Sequence, residues 1–155
     1  MRVVAQRVTS GSVSWESGGI EHRATIGRGL VLLVGAAGDD DSTNVQRLAD
    51  KIIDLRVFAD QAGRMNLSLV DVGGAALIVS QFTLFADMSK GRRPSLLKAG
   101  DPARAEQLYE EFVTQFRERG IETQTGSFGA VMLVGIDNDG PVTLVLSTDD
   151  WATRV

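Results

Sequence analysis

Cysteine is absent from this 155-residue chain, which excludes disulfides and thiolate metal sites. Histidine, the commonest general base, occurs once, as His22. It stands between Glu21 and Arg23 in a predicted hairpin strand and is expected at the surface. Positive charge is not in excess: 16 Lys and Arg against 20 Asp and Glu leave a net charge of −4. A protein that held nucleic acid by bulk charge would be strongly basic, so any RNA contact has to come from a local basic patch. No stretch approaches the roughly 20 consecutive apolar residues of a membrane span. The opening MRVVAQRV has no apolar signal core. A cytoplasmic protein without membrane contact is expected. No P-loop, dinucleotide-binding glycine pattern or conspicuous pair of carboxylates is present, and neither metal nor cofactor is expected.

What is present is the make-up of one globular domain, residues 1–155, with 43% hydrophobic and 23% charged residues. Strands are predicted over residues 3–8, 12–15 and 20–26, the last two flanking a Ser17-Gly18-Gly19 turn. Residues 30–34 and 75–79 are continuous apolar runs, the pattern of strands covered on both faces. Between them the period becomes helical at Val45, Leu48, Ala49, Ile52 and Ile53, with Asp41 or Ser42 as the cap. Residues 57–59 are a predicted strand and 60–64 a turn. A second helix is capped by Asp101, has Pro102 at its first position, carries an apolar stripe of Ala105, Leu108, Tyr109, Phe112, Val113 and Phe116, and ends at Gly120. Strands follow at 121–125, 130–136 and 142–146, and the polar tail 147–155 is expected to be loosely held. The reading is α+β, a largely antiparallel, barrel-like sheet with two main helices.

Two segments resist a purely structural account. Ser80-Gln81-Phe82-Thr83 places polar side chains directly after a buried strand; turn chemistry and a satisfied hydroxyl account for them equally well. In the second, DNDGPVTLVLS, Asn138-Asp139-Gly140 between two apolar runs reads as a tight hairpin turn. Pro141 then stands where pairing should begin, with no N–H to give a ladder. A proline ending a hairpin is one reading. The other is a rigid backbone acceptor, because an X–Pro bond is the kind that readily becomes cis, and a cis Gly-Pro turns two carbonyl oxygens the same way.

Over nearly its whole length the chain resembles the D-aminoacyl-tRNA deacylase family. The likeness runs through MRVVAQRV, DLRVFAD, GRMNLSLVDVGG, SQFTLFAD, KGRRPS, TGSFGAVM and NDGPVT. Both signature motifs of that family, Ser-Gln-x-x-Leu and Asn-x-x-Pro-x-Thr, stand here as Ser80 to Leu84 and Asn138 to Thr143. Val131, where a polar residue is expected, and a longer C-terminal tail depart from the pattern.

The resemblance implies hydrolysis of the ester joining a D-amino acid, or a mischarged glycine on tRNA-Ala, to the 3′ end of tRNA. It implies a homodimer with active sites at the subunit interface, the Gly140–Pro141 motif of one subunit entering the site of the other. There a cis Gly-Pro would take the substrate's α-amino group and exclude L side chains, with Arg7 orienting the motif and Asn138 and Thr143 belonging to it. Ser80, Gln81, Phe82 and Thr83 would line the pocket floor, with backbone N–H groups of Phe82 and Thr83 as oxyanion donors. Thr83 is either a nucleophile or a positioning group, the tRNA 2′-hydroxyl activating water in the latter case. Phe128, Gly129, Met132 and Ala105 match the adenine side; for Met132 and Ala105 core packing is an equal alternative. Lys90, Arg92 and Arg93 are either a solvated loop or a contact for acceptor-stem phosphates. Two rival readings are a tRNA-end binding module without catalysis and a threonine esterase acting on small esters.

Overall fold

The computed structural model describes residues 1–89 and 91–149. The elements in chain order are β1 (Arg2–Ser17), β2 (Ile20–Ile26), β3 (Gly29–Gly35), α1 (Ser42–Ile53), β4 (Phe58–Ala59), β5 (Met65–Leu67), β6 (Ala75–Ser80), a 3-10 turn (Phe82–Phe85), α2 (Pro102–Glu118), β7 (Thr123–Thr125) and β8 (Met132–Ser147). The main sheet runs β2-β1-β3-β6-β7, with β8 paired to β1 outside that path; β4 and β5 form a separate hairpin. β1 pairs antiparallel with β2, β3 and β8. β3-β6 and β6-β7 are parallel. The α+β, mostly antiparallel expectation holds; the parallel pairs were not foreseen.

Each helix forms where the caps predict. Asp41 accepts from the Asn44 N–H at 3.0 Å and Asn44 Oδ1 accepts from the Asp41 N–H at 3.2 Å, a reciprocal cap on α1. Asp101 accepts from the N–H groups of Ala103 and Arg104, and Pro102 starts α2 at no cost in hydrogen bonds. Past the end of α2, Gly120 takes φ +73°, the left-handed conformation that closes helices.

Strand alternation then splits the core in two. Leu30, Leu32 and Val34 of β3 and Ala76 and Ile78 of β6 face α1 and α2, where Phe112, Phe116, Ile52 and Leu108 are fully buried. Val31, Leu77 and Val79 face the other way, into a second cluster with Val8, Val13 and Ile26. Each such side chain contributes about 1.5–3 kcal/mol by leaving water. The sheet curls around this second cluster. A Cβ on Gly11 of β1 would stand 2.7 Å from Val31, 3.3 Å from Ile26 and 3.4 Å from Leu77, so the curl admits only glycine there.

Two sequence expectations are corrected. Residues 3–8 and 12–15 are not separate strands but one, β1. Val3 and Ala5 join the helix-side core and Val8 the other by plain alternation; the irregularity just past Val8 then reverses the facing, so Val13 joins Val8's cluster. Likewise Asn138-Asp139-Gly140 is not a hairpin turn between two strands. Both flanks belong to β8 and pair with β1: Asn138 faces Val8, and Thr143 faces Gln6. β1 therefore advances two residues while β8 advances five, and residues 139–142 loop outward as a wide bulge. The turn signal was real but local; the ladder to β1 resumes beyond the proline, so the chain keeps its direction. Of the polar tail, Ser147 ends β8 and Thr148 donates its N–H to the Met1 carbonyl at 3.0 Å; residues 150–155 lie outside the described residues.

Candidate active site

The pocket exists because β7 is short. Its last residue, Thr125, pairs with Ile78, so Val79 and Ser80 have β3 on one side and no sheet neighbour on the other. A cavity of about 580 Å³ opens there. Ser80, Gln81 and Phe82 supply one side, Phe128, Gly129 and Met132 another, and Ala105 and Tyr109 reach in from α2, with Met1 and Leu96 also in the lining.

The floor is set by backbone. Beyond the end of β6, the Gln81 N–H donates to the Val34 carbonyl at 2.7 Å, extending the ladder by one bond before the 3-10 turn begins. Gly35, at the end of β3, lies directly beneath: a Cβ there would be 2.7 Å from the Gln81 carbonyl oxygen and 3.3 Å from Leu84 Cβ. From β1, the Arg2 guanidinium sits 4.3 Å above the Phe85 ring and donates to the Leu84 carbonyl at 2.8 Å. The turn that carries Phe82 and Thr83 is thus gripped from below and behind. Phe82 is 57% exposed, a large apolar side chain left in solvent at the mouth of the pocket.

Thr83 is exposed and is not in the lining. Its hydroxyl oxygen accepts from the Gln81 side-chain amide. An amide donor takes no proton, so this contact orients the hydroxyl without activating it. Among the described residues, Tyr109 is the one titratable side chain in the lining. Burial pushes its phenol well above the ordinary tyrosine range, so it remains a neutral donor. The pocket offers shape, apolar surface and backbone groups rather than side-chain acids or bases.

The outward loop of β8 is a second, separate assembly. The Gly140–Pro141 bond is cis. Arg7 pairs with Asp139 through Nε at 2.9 Å and donates from Nη1 to the Val57 carbonyl at 2.6 Å. Asn138 Nδ2 bridges the carbonyls of Arg7 and Val142 at 2.9 and 3.0 Å, and Thr143 Oγ1 donates to Asn138 Oδ1 at 3.3 Å. Asp139, Gly140 and Pro141 are exposed, and none of them lines the pocket of its own chain.

The structure therefore sorts most of the predicted site residues into two groups and leaves Thr83 beside the first but outside its lining. Ser80, Gln81, Phe82, Phe128, Gly129, Met132 and Ala105 meet at the pocket. Arg7, Asn138, Gly140, Pro141 and Thr143 meet at the bulge. The alternatives left open for Ala105 and Met132 coincide: both line the pocket, and both also pack against core clusters. Arg92 and Arg93 are exposed in a loop closed at its base by reciprocal Asp87–Ser95 backbone bonds of 2.8 and 2.9 Å and by a Lys98–Asp87 ion pair. The return leg of that loop, through Leu96, Ala99 and Gly100, lines the pocket. Lys90 lies outside the described residues. His22 is exposed and stacks on Trp15 at 5.4 Å, as a surface residue. Sequence reasoning missed Tyr109, Gly35 and Arg2. For Tyr109 a signal existed: a tyrosine on an apolar helix face brings a hydroxyl that needs a partner.

The residue pattern of the D-Tyr-tRNA(Tyr) deacylase family matches residues 4–147. The D-aminoacyl-tRNA deacylase of Koribacter versatilis (strain Ellin345) is 50% identical over 151 residues, covering 96% of this chain and 97% of that one. The protein of the same name from Bacillus licheniformis is 49% identical over 148 residues, covering 96% and 99%. Among solved structures, one titled "c-Myc DNA Unwinding Element Binding Protein" superposes with a TM-score of 0.87 at 39% identity, covering 96% of this chain and 99% of that one. A probable eukaryotic D-amino acid tRNA deacylase superposes at 0.81 with 17% identity, covering 94% and 97%; that likeness is one of fold.

Proposed function

Since the chain belongs to the D-Tyr-tRNA(Tyr) deacylase family, it is a hydrolase of D-aminoacyl-tRNA esters, and we propose that it performs this reaction in a pocket completed by a second copy of itself. The observation that carries the reading is the division of most of the predicted site residues into two groups. One is an apolar pocket with a backbone-built floor. The other is an exposed bulge that is rigidly anchored yet absent from its own chain's pocket. A bulge held this firmly in solvent makes sense as an insert. The exposed Leu133 and Val145 on β8, with Val131 just before it, supply apolar surface for a partner copy to cover.

In this reading the terminal adenosine stacks on Phe128 and packs on Gly129, Met132 and Ala105. The aminoacyl ester lies over Ser80 and Gln81. Water adds to the ester carbonyl, the N–H groups of Phe82 and Thr83 receive the developing oxyanion, and collapse expels the ribose oxygen, which leaves protonated as free tRNA beside the released amino acid. With an activated ester, positioning supplies most of what is needed. The tRNA 2′-hydroxyl relays the proton that no side chain in the lining is equipped to take. Carbonyls of the partner's bulge receive the α-amino group and fill the space an L side chain would require. Glycine, with no side chain, is not rejected, so glycyl-tRNA-Ala is also cleaved. Arg92 and Arg93, on the loop whose return leg forms the pocket wall, meet phosphates of the acceptor stem, and the tRNA 3′ end is the partner.

The test is single-turnover hydrolysis of D-aminoacyl-tRNA, L-aminoacyl-tRNA and a D-aminoacyl-tRNA ending in 2′-deoxyadenosine. The reading expects cleavage of the first, none of the second and a large loss with the third. Full activity on the deoxy substrate would remove the RNA from the mechanism. Thr83→Ala separates the alternatives further: a loss below about threefold is expected. Near-total loss with binding intact would make Thr83 the nucleophile.

A further inference from the structure

Tyr109 is the single tyrosine of the chain. It sits on α2 with 7% of its surface exposed and lines both the pocket and a smaller polar groove behind it, of about 360 Å³. Phe128 lines both as well. The two rings lie 5.8 Å apart, tilted by 48°, and together they form the partition between the cavities.

The hydroxyl has its own task. The Ala76 N–H donates to Glu122 of the β7 segment at 2.8 Å. Because alternate residues of a strand point their amides and carbonyls to the same side, the Ile78 carbonyl also points toward β7. The β6-β7 ladder ends at the Ile78–Thr125 pair, and the Tyr109 hydroxyl donates to the Ile78 carbonyl at 2.7 Å. A side chain from α2 thus braces β6 where its pairing with β7 stops. Ile78 is two residues before Ser80, on the strand that presents the floor.

We infer that Tyr109 is a positioning residue that holds the two sides of the site at a fixed separation: its hydroxyl sets the end of β6 and hence Ser80 and Gln81, while its ring supports Phe128. The gap left by β7 makes room for substrate and leaves the end of β6 without a sheet neighbour on that side. Tyr109 braces β6 at the edge of the gap without filling it. Its hydroxyl does not touch the reacting atoms, and its phenol stays protonated through ordinary alkaline conditions because burial raises its pKa, so it acts as a fixed donor. The inference deepens the proposed reading and rests on the placement of adenine at Phe128 for the ring's part, but not for the hydroxyl's.

Two substitutions separate the two parts. Tyr109→Phe keeps the ring and removes the donor, whereas Tyr109→Leu removes both. Single-turnover hydrolysis of D-aminoacyl-tRNA and equilibrium binding of AMP are measured for each, beside the wild type, with Tm as the control for folding. Tyr109→Phe is expected to lose about fivefold to tenfold in rate, with AMP affinity within about twofold of wild type. Tyr109→Leu is expected to lose rate and also about tenfold in AMP affinity. A Tyr109→Phe protein with the wild-type rate overturns the inference, as does a pair of variants whose rate and affinity fall in step with Tm. If the wild type itself fails to bind AMP, the adenine placement fails, and the Tyr109→Phe rate alone still decides the hydroxyl's role.

Discussion

The pocket draws its walls from β3, β6, α2, the 3-10 turn and the segment leading into β8, and most of its lining is apolar. The bulge at residues 139–142 comes from one short stretch and is held by polar contacts, chiefly to Arg7 and Asn138. The pocket shares its residues with the core, so its geometry is as stiff as close packing makes it. Little of the core rests on the bulge, whose order depends on a few charge-assisted and amide bonds. Damage to the pocket therefore arises through small steric shifts. Damage to the bulge arises through loss of individual polar partners.

The strongest way to break the pocket alone is Gly35→Ala. The added methyl meets the Gln81 carbonyl at 2.7 Å, and a displacement of the floor by about 1 Å costs on the order of a hundredfold in rate. Gly38→Ala, with nothing within 4 Å of the added Cβ, is the matched control and should leave single-turnover rates unchanged. Next comes Phe128→Ala, which removes a stacking face worth roughly 1–3 kcal/mol. KM for D-aminoacyl-tRNA and AMP affinity should suffer by about tenfold or more, with kcat less affected. On the bulge, Arg7→Met strips the Asp139 pair and the bond to Val57. A loss of about 2 kcal/mol is expected, seen as a Tm lower by a few degrees and roughly tenfold slower turnover. Arg7→Lys should not restore either, since an ammonium lacks the planar fork that serves both partners. The smallest effect is expected from Arg92→Ala with Arg93→Ala: tRNA binding weaker at low salt, and a slope of log affinity against log salt shallower by about 1 to 2. An unchanged slope would return this loop to ordinary solvated surface.

These differences also explain what could be read in advance. The helices were legible because capping chemistry and apolar stripes are local signals, as Asp41 and Asp101 show. β3 and β6 were legible because strands buried on both faces tolerate little but Val, Leu, Ile and Ala. β1 and β8 were not, because their continuity is decided by each other. Asn138-Asp139-Gly140 carries every local mark of a turn, and only the ladder to β1 on either side shows that the chain continues. Of the site, the Ser80 and Asn138 motifs were visible through family likeness, whereas their separation into pocket and bulge is a fact of topology. Tyr109 was hidden in plain view: as one more apolar-stripe residue it satisfied the helix pattern, and its second role depends on where a distant strand stops.

The composite site is tested most directly by subunit complementation. Gly35→Ala disables the pocket, and Gly140→Leu, whose Cβ would stand 2.9 Å from both Arg7 Nη2 and Val142 Cγ2, disables the bulge. Each protein alone should be nearly inactive on D-aminoacyl-tRNA. When the two are co-expressed, half of the dimers are mixed and each carries one intact pairing of pocket and bulge, so about a quarter of wild-type activity should return. Activity no greater than the sum of the two parents would mean that no second copy completes the site.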